Sequence, residues 1–346
     1  MPRLRHVSVT DPGLSRRRTR GGFVFLAADG SRITDPEVID RCAGLAIPPA
    51  WTDVWICASP SGHLQAFGRD DAGRGQYIYH PQWAAKRARA KHDHVLEVAT
   101  RLPAARQKVA QDLDLPGMPP ARVHALAFRL LDVGYFRIGS EAYAERNSSF
   151  GLATLLREHV TARRDGTVRF RFPAKSGQEW DLRIEDPQVH AAVRTLLSRR
   201  GGERLLAWRA TGRPVAWHQV TSAEISASLK ERLGTDVTAK DFRTWHATVL
   251  AARLLAEAGD APSSARARRR VVTAMVRGVA QELRNTPAVA RSAYINPRLV
   301  DLWEHGMHIP QAQSRADAEP AVLTLLADEA PREPRRTAPT RRVRAS

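Results

Sequence analysis

A tyrosine attacks a phosphodiester only with help from its neighbours. Its phenol, with a reference pKa of about 10, must be acidified or set beside a proton acceptor. The pentacoordinate phosphorane carries extra negative charge on its non-bridging oxygens, and two guanidiniums are suited to clamping it. The departing oxygen needs a proton, which a positioned lysine can deliver. A further neutral or cationic donor can bind a non-bridging oxygen. The chain holds such a set, in the order Arg137, Lys175, Arg243, Asn285 and Tyr294. None of the five is specific by itself. In so basic a chain an arginine is ordinarily a solvated surface charge, and a loop tyrosine ordinarily packs on a core.

The elements that must position these groups follow from the pattern around them. Pro287 and Pro297 bracket the segment that carries Tyr294, and Arg291 stands three places before it. Asn285-Thr286-Pro287 ends the preceding helix, because the residue before a proline is pushed out of the α region. That helix spans 263–284 and buries Val271, Met275, Val279 and Leu283, while Arg266, Arg268, Arg269, Arg270 and Arg277 cover its remaining surface. Arg243 sits near the start of a helix opened by Thr238-Ala239-Lys240-Asp241, which has capping-box spacing. Phe242, Trp245, Val249 and Ala252 form its core stripe, with Arg243 on the adjacent face. Lys175 falls at the tip of a hairpin: Val168, Phe170 and Phe172 alternate on one arm, and Trp180, Leu182 and Ile184 on the other. The intervening Pro173-Ala174-Lys175-Ser176-Gly177 has turn composition. Arg137 follows an amphipathic helix over 122–133. Ser140 is placed to cap a helix over 141–146, and another helix is expected over 152–159.

The first part of the chain reads differently. Residues 1–20 look like a flexible basic arm, with Arg16-Arg17-Arg18 at its end. Short strands follow at 23–26 (before an Asp29-Gly30 turn), 54–57, 63–67 and 76–79, with one helix near 36–45. A very basic helix over 83–102 carries Lys86, Arg87, Arg89, Lys91 and His92. The expected organisation is an arm (1–20), a β-rich domain (21–90), a mainly helical domain (91–311) and a basic disordered tail (312–346).

The 346 residues include 54 Lys and Arg against 36 Asp and Glu, a formal charge of +18. Such an excess suits a polyanionic partner, because neutralising phosphates releases counterions. Two cysteines, Cys42 and Cys57, form no Cys-x-x-Cys and join no Cys/His cluster at metal spacing. They argue for a reducing compartment and against structural zinc. No apolar run is long enough to cross a membrane, and no apolar stretch follows the Arg-rich N-terminus. The expectation is a soluble cytoplasmic protein.

Together the motifs resemble the type IB DNA topoisomerases, in the small poxvirus-like form found in bacteria. The strings that carry the resemblance are Gly68-Arg69-Asp70, Gln76-Tyr77-Ile78-Tyr79-His80, Tyr135-Phe136-Arg137-Ile138-Gly139 and Phe172-Pro173-Ala174-Lys175-Ser176-Gly177. Lys240-Asp241-Phe242-Arg243-Thr244-Trp245, Asn285-Thr286-Pro287 and Ser292-Ala293-Tyr294-Ile295 complete them. The resemblance covers the chain from about residue 20 to about residue 310. The resemblance implies an α+β protein: a small antiparallel β-rich N-terminal domain and a mainly α-helical catalytic domain with a small sheet, closing as a C-shaped clamp on duplex DNA. It implies that Tyr294 forms a 3′-phosphotyrosyl intermediate, that strand swivelling relaxes supercoils, and that the reverse reaction reseals, without ATP, obligatory metal or other cofactor. By position, Arg137 and Arg243 stabilise the transition state and Lys175 protonates the 5′-oxygen. Asn285 replaces the histidine often found nine places before the tyrosine; its amide can donate to phosphate but supplies no positive charge. Tyr77, Tyr79, Arg69, Gln76, Lys86, Ser140 and Lys240 are the implied DNA contacts, on a monomeric, nucleoid-associated enzyme.

Two other readings are set against this one. A tyrosine site-specific recombinase shares the catalytic order, but usually carries His-x-x-Arg where this chain has Lys240-Asp241-Phe242-Arg243. A non-catalytic basic DNA-binding protein would form no covalent adduct. The charge alone generates one expectation: duplex affinity falls steeply between about 50 and 200 mM salt, with a log–log slope equal to several phosphates. Fluorescence anisotropy measures this, and a flat profile contradicts it.

Overall fold

The computed structural model describes residues 3–141, 144, 148–174, 177–210 and 216–327. The chain forms two compact units, 1–91 and 92–346, and each has its own apolar core.

The first unit contains β1 (Leu14–Thr19), β2 (Gly22–Leu26), α1 (Pro36–Gly44), β3 (Thr52–Ile56), β4 (Leu64–Arg69) and β5 (Gly75–Tyr79). The strands form one antiparallel sheet in the order β2-β1-β3-β4-β5. Asp35 starts α1 by accepting the Glu37 N–H at 2.9 Å, and Pro36 occupies the first turn, where its missing N–H costs nothing. Cys42 from α1 packs with Ile47, Ile56 and Ala66 in the core; Cys42 and Cys57 are both free and buried. Along β5 the period of two sends Ile78 toward that core and leaves Tyr77 and Tyr79 exposed.

The expected flexible arm at 1–20 is corrected here. Its last residues form β1, paired with β2 from Ser15↔Leu26 to Thr19↔Gly22 and with β3 at Leu14↔Ile56. Arg16, read as part of a charge run, lays its guanidinium 4.1 Å from the Phe23 ring centroid and donates to the carbonyls of Ile47 (2.8 Å), Pro48 and Trp51. A long side chain whose stem packs and whose head satisfies a loop is hidden in a run of arginines.

Helix α2 (Pro81–Leu113) extends past the expected end at 102 because it continues through Pro103, burying Ala105, Val109 and Leu113 beyond it. From His92 onward it belongs to the second unit. There follow α3 (Pro120–Gly134), β6 (Val160–Ala162), β7 (Thr167–Pro173), β8 (Glu179–Glu185), α4 (Pro187–Ser198), β9 (Ala207–Arg209), β10 (Trp217–Gln219), α5 (Ser222–Leu233), α6 (Ala239–Ala258), α7 (Ala265–Glu282), α8 (Pro287–Ala293), α9 (Arg298–Glu304) and α10 (Arg315–Ala327). The β7–β8 hairpin has the expected register, with Val168↔Ile184, Phe170↔Leu182 and Phe172↔Trp180, and β6 extends it to a three-stranded sheet. The expected helix at 152–159 is instead two 3-10 turns, Leu152–Thr154 and Arg157–His159. Its backbone is drawn elsewhere: Leu155 C=O accepts from Leu205 N–H (2.7 Å) and Arg157 N–H donates to Glu203 C=O (2.8 Å). Most of the helix expected at 141–146 lies outside the described residues.

The expected tail at 312–346 is also corrected. Residues 315–327 form α10, which buries Ala318, Glu319, Val322 and Leu326; residues 328–346 lie outside the described residues. Among the described residues no helix is long and apolar enough to cross a membrane.

Candidate active site

Helix α6 is the beam on which the site is built. Its first turn is closed by Asp241, whose Oδ2 accepts from the Thr238 N–H (2.8 Å) and hydroxyl (2.9 Å), so the capping box works with aspartate at its fourth place. Every residue from Ala247 to Val249, and from Asp241 to His246, is buried. A helix covered on all faces draws any charge along it out of water, and Arg243 is only 2% exposed.

That guanidinium is satisfied by two helix ends. One Nη donates to Tyr135 C=O, and the other donates to Leu283 C=O at 2.8 Å. Tyr135 terminates α3 and Leu283 terminates α7. C-terminal carbonyls lack intrahelical donors and carry the negative pole of the helix, so the cation sits where two such poles converge. Its carbon lies 5.2 Å from the centroid of the Tyr294 ring. Burial lowers the Arg243 pKa and the nearby Arg137 lowers it further, while the adjacent Tyr294 phenol raises it. It stays cationic.

Arg137 and Asn285 are presented by turns at those same helix ends. Tyr135 takes a left-handed conformation (φ 55°), which stops α3 and turns the chain. Phe136 is then buried against Phe170 (5.1 Å between centroids), Phe172 (5.9 Å) and Trp180 (6.1 Å) of the β7–β8 hairpin. Arg137 C=O accepts from Leu152 N–H at 2.9 Å. Just beyond, Gly139 (φ 78°) crosses Gly151 so closely that a Cβ on Gly139 would lie 2.8 Å from the Gly151 Cα. At the other end, Arg284 is left-handed (φ 50°); its N–H donates to Gln281 C=O (3.2 Å) and Asn285 N–H donates to Ala280 C=O (2.9 Å). This is a Schellman ending made without glycine. It aims Asn285 at Arg137, whose Nη2 donates to Asn285 Oδ1 at 2.8 Å. The Asn285 Nδ2 is buried with no hydrogen-bond partner in the structure.

Tyr294 closes α8. Thr286 caps the start of that helix, accepting from Val289 N–H (3.3 Å), and Tyr294 N–H donates to Ala290 C=O (3.1 Å). The tyrosine is 9% exposed. Of the five residues singled out by chemistry, Arg137, Arg243, Asn285 and Tyr294 therefore come together. Lys175 lies outside the described residues; beside it, Ala174 N–H donates to Gln178 C=O at 2.7 Å and closes the hairpin arms. Among the described residues no three His, Cys, Asp or Glu side chains form a group able to hold a metal ion.

The expected DNA-contact residues are placed as follows. Tyr77 and Tyr79 are 51% and 44% exposed, their rings near parallel at 6.1 Å. Arg69 is exposed, donates to Gly73 C=O (3.0 Å) and lies 3.5 Å from Asp53. Gln76 donates to Asp70 Oδ2 at 2.9 Å. Lys86 on α2, Ser140, and Lys240 on α6 are exposed. Not anticipated from the sequence was a polar layer behind the site, where Asp132, His246 and Arg315 meet across α3, α6 and α10. Its members are far apart in sequence, and the one local cue is that His246 lies three residues after Arg243.

The two site arginines differ in burial, which yields a prediction. Arg243→Lys cannot fork across both carbonyls and should lower the free energy of unfolding by about 2 kcal/mol, the loss of a charge-assisted hydrogen bond. Arg137→Lys, at a half-buried position, should cost under about 1 kcal/mol. Urea unfolding measures both, and equal losses would show that the carbonyl fork carries no structural weight.

Residues 22–70 match the family described as bacterial DNA topoisomerase IB, N-terminal domain, and residues 80–307 match eukaryotic DNA topoisomerase I, catalytic core. The DNA topoisomerase 1B of Acanthamoeba polyphaga mimivirus is 25% identical over 297 residues, covering 85% of this chain and 88% of the viral protein. With two tandem matches that span its β-sheet unit and its helical unit, the chain belongs to the type IB DNA topoisomerase family.

Proposed function

We propose that Tyr294 is the nucleophile with which this topoisomerase nicks and reseals one strand of duplex DNA. The phenolic oxygen forms a bond to the scissile phosphorus as the bond to the 5′-oxygen breaks. The phenol loses its proton to solvent water, and the 5′-oxygen gains one from Lys175. The enzyme is left esterified to the 3′-phosphate, the free strand rotates, and the reverse attack by the 5′-hydroxyl reseals it. Arg137 and Arg243 hold the non-bridging oxygens of the phosphorane, and Asn285 Nδ2 donates to one of them.

The observation that carries this reading is the unpaired Asn285 amide nitrogen. A buried donor without a partner costs about 1–3 kcal/mol, and this one belongs to a side chain held by Arg137, in a cluster with Arg243 and Tyr294. An anion in the cluster supplies the missing acceptor and neutralises two adjacent cations. The oxygen of Asn285 is already taken by Arg137, which leaves the nitrogen for the phosphate. Arg137, Arg243, Asn285 and Tyr294 converge within one chain, which supports the reading of a monomer acting on the DNA backbone. Tyr77 and Tyr79, exposed side by side, are proposed to rest against that backbone, with Arg69, Gln76, Lys86, Ser140 and Lys240 as further contacts.

Two experiments test the assignment. Tyr294→Phe should abolish relaxation of a supercoiled plasmid while duplex affinity stays within a few-fold; retained relaxation excludes Tyr294 as nucleophile. For Lys175, a substrate with bridging sulfur in place of the 5′-oxygen leaves without protonation. It should restore Lys175→Ala to within about ten-fold of wild type, given that general acid catalysis contributes about 10²–10⁴-fold. A sulfur substrate that leaves this variant as slow as before excludes the proton-donor role.

A further inference from the structure

Helix α10 begins beyond residue 307, where the family match ends, yet it reaches the layer directly behind the site. Arg315, in its first turn, donates to Asp132 C=O at 2.7 Å and approaches His246 Nδ1 at 3.4 Å. Its charge also lies near enough to the Tyr135 phenol to oppose the burial that raises that group's pKa. One turn later, Glu319 accepts two hydrogen bonds from Arg106 of α2, at 2.5 and 2.9 Å. Arg106 in turn forks onto the Asp132 carboxylate at 2.8 and 2.9 Å. His246 Nε2 lies 3.3 Å from the same carboxylate, and the His246 and Tyr135 rings are 5.0 Å apart. Arg315 thus faces Nδ1 and the Asp132 carboxylate lies near Nε2 of an imidazole whose pKa is lowered by burial.

Each of these contacts falls on a residue adjoining the site. Asp132 lies in the last turn of α3; Tyr135 is the left-handed residue that accepts from Arg243 and stands two places before Arg137; His246 is one turn from Arg243 on α6. We infer that Arg315 is a positioning residue: through Asp132, Tyr135 and His246 it holds the turn at the end of α3 that sets both guanidiniums around the phosphate. Ion pairing between α10 and the α2–α3 layer keeps that hold, because Glu319 and Asp132 share Arg106. The inference rests on the assignment of Arg137 and Arg243 to the transition state.

Single-turnover cleavage of a duplex carrying either a normal phosphodiester or a methylphosphonate at the scissile position tests it. The methylphosphonate is uncharged, so it needs less from the guanidiniums. Arg315→Ala should cleave the phosphodiester about 10²-fold more slowly, the scale of a misplaced catalytic group. Its deficit on the methylphosphonate should shrink to under about five-fold, with duplex affinity within about two-fold of wild type on both. Tyr135→Phe, which removes one hydroxyl and leaves the core intact, should show the same pattern at about five-fold on the phosphodiester; it carries the test alone if Arg315→Ala does not fold. Arg243→Ala is the control. If Arg243→Ala gains nothing on the neutral substrate, the transition-state assignment itself is wrong. If Arg243→Ala gains and the Arg315 and Tyr135 variants are equally slow on both substrates, or as fast as wild type on both, the positioning role is overturned.

Discussion

A single buried guanidinium ties the second unit together around its chemistry. Taking Arg243 out of water costs several kcal/mol, and its two charge-assisted hydrogen bonds return about 1.5–3 kcal/mol each. What tips the balance is the identity of the acceptors. Tyr135 and Leu283 carbonyls end α3 and α7, so the cation meets two helix negative poles rather than two isolated amides. The bond works in both directions: the helix ends solvate the charge, and the charge holds the helix ends side by side. Because Arg137 follows one end by two residues and Asn285 follows the other by two, their separation is set by the same fork.

This construction explains the backbone strain found at two positions beside the site. Tyr135 and Arg284 are non-glycine residues at φ 55° and 50°, conformations that cost about 1 kcal/mol each. Glycine would relieve that cost but lose the side chains. Tyr135 contributes a ring against His246, and Arg284 donates to Asp181 C=O at 3.3 Å. Both helices must stop abruptly, since one more helical turn would carry Arg137 or Asn285 away from Tyr294. The turns are thus short, strained and tied down by neighbours, which suits groups that must hold a phosphate without rearranging.

How far the sequence anticipated this depends on which physical cause was visible locally. The β7–β8 hairpin followed from strict alternation of Phe170, Phe172, Trp180 and Leu182, and the end of α7 followed from Asn285-Thr286-Pro287 and its stiff proline. The burial of Arg243 did not show. Phe242, Trp245 and Val249 mark one apolar stripe, whereas the opposite face is covered through small neutral residues, Thr244, Ala247, Thr248 and Ala251, which give no hydrophobic signal of their own. Strand β1 was concealed because three successive arginines look like solvated charge, although Arg16 is spent on loop carbonyls. Helix α10 was concealed for a related reason: Arg315 and Glu319 face inward, paired with Asp132 and Arg106 across a distance in sequence that no local pattern records. Apolar alternation served the β7–β8 hairpin, whereas arginines spent on carbonyls and carboxylates hid β1, the burial of Arg243 and α10.

The asparagine at 285 follows from the same electrostatics. Its Oδ1 accepts from Arg137 and its Nδ2 remains as a donor. A histidine could fill both roles only as the neutral imidazole, with one ring nitrogen accepting and the other donating. Protonated, it would have no acceptor for Arg137 and would add a third positive charge beside two guanidiniums, one of them only 2% exposed. Asparagine has no such state to avoid. It trades the stronger pull of a cationic donor for a donor whose orientation is enforced at every pH by an arginine that never loses its proton. On the proposed mechanism, positive charge at the phosphorus is then the task of Arg137, Arg243 and Lys175, and the amide contributes direction.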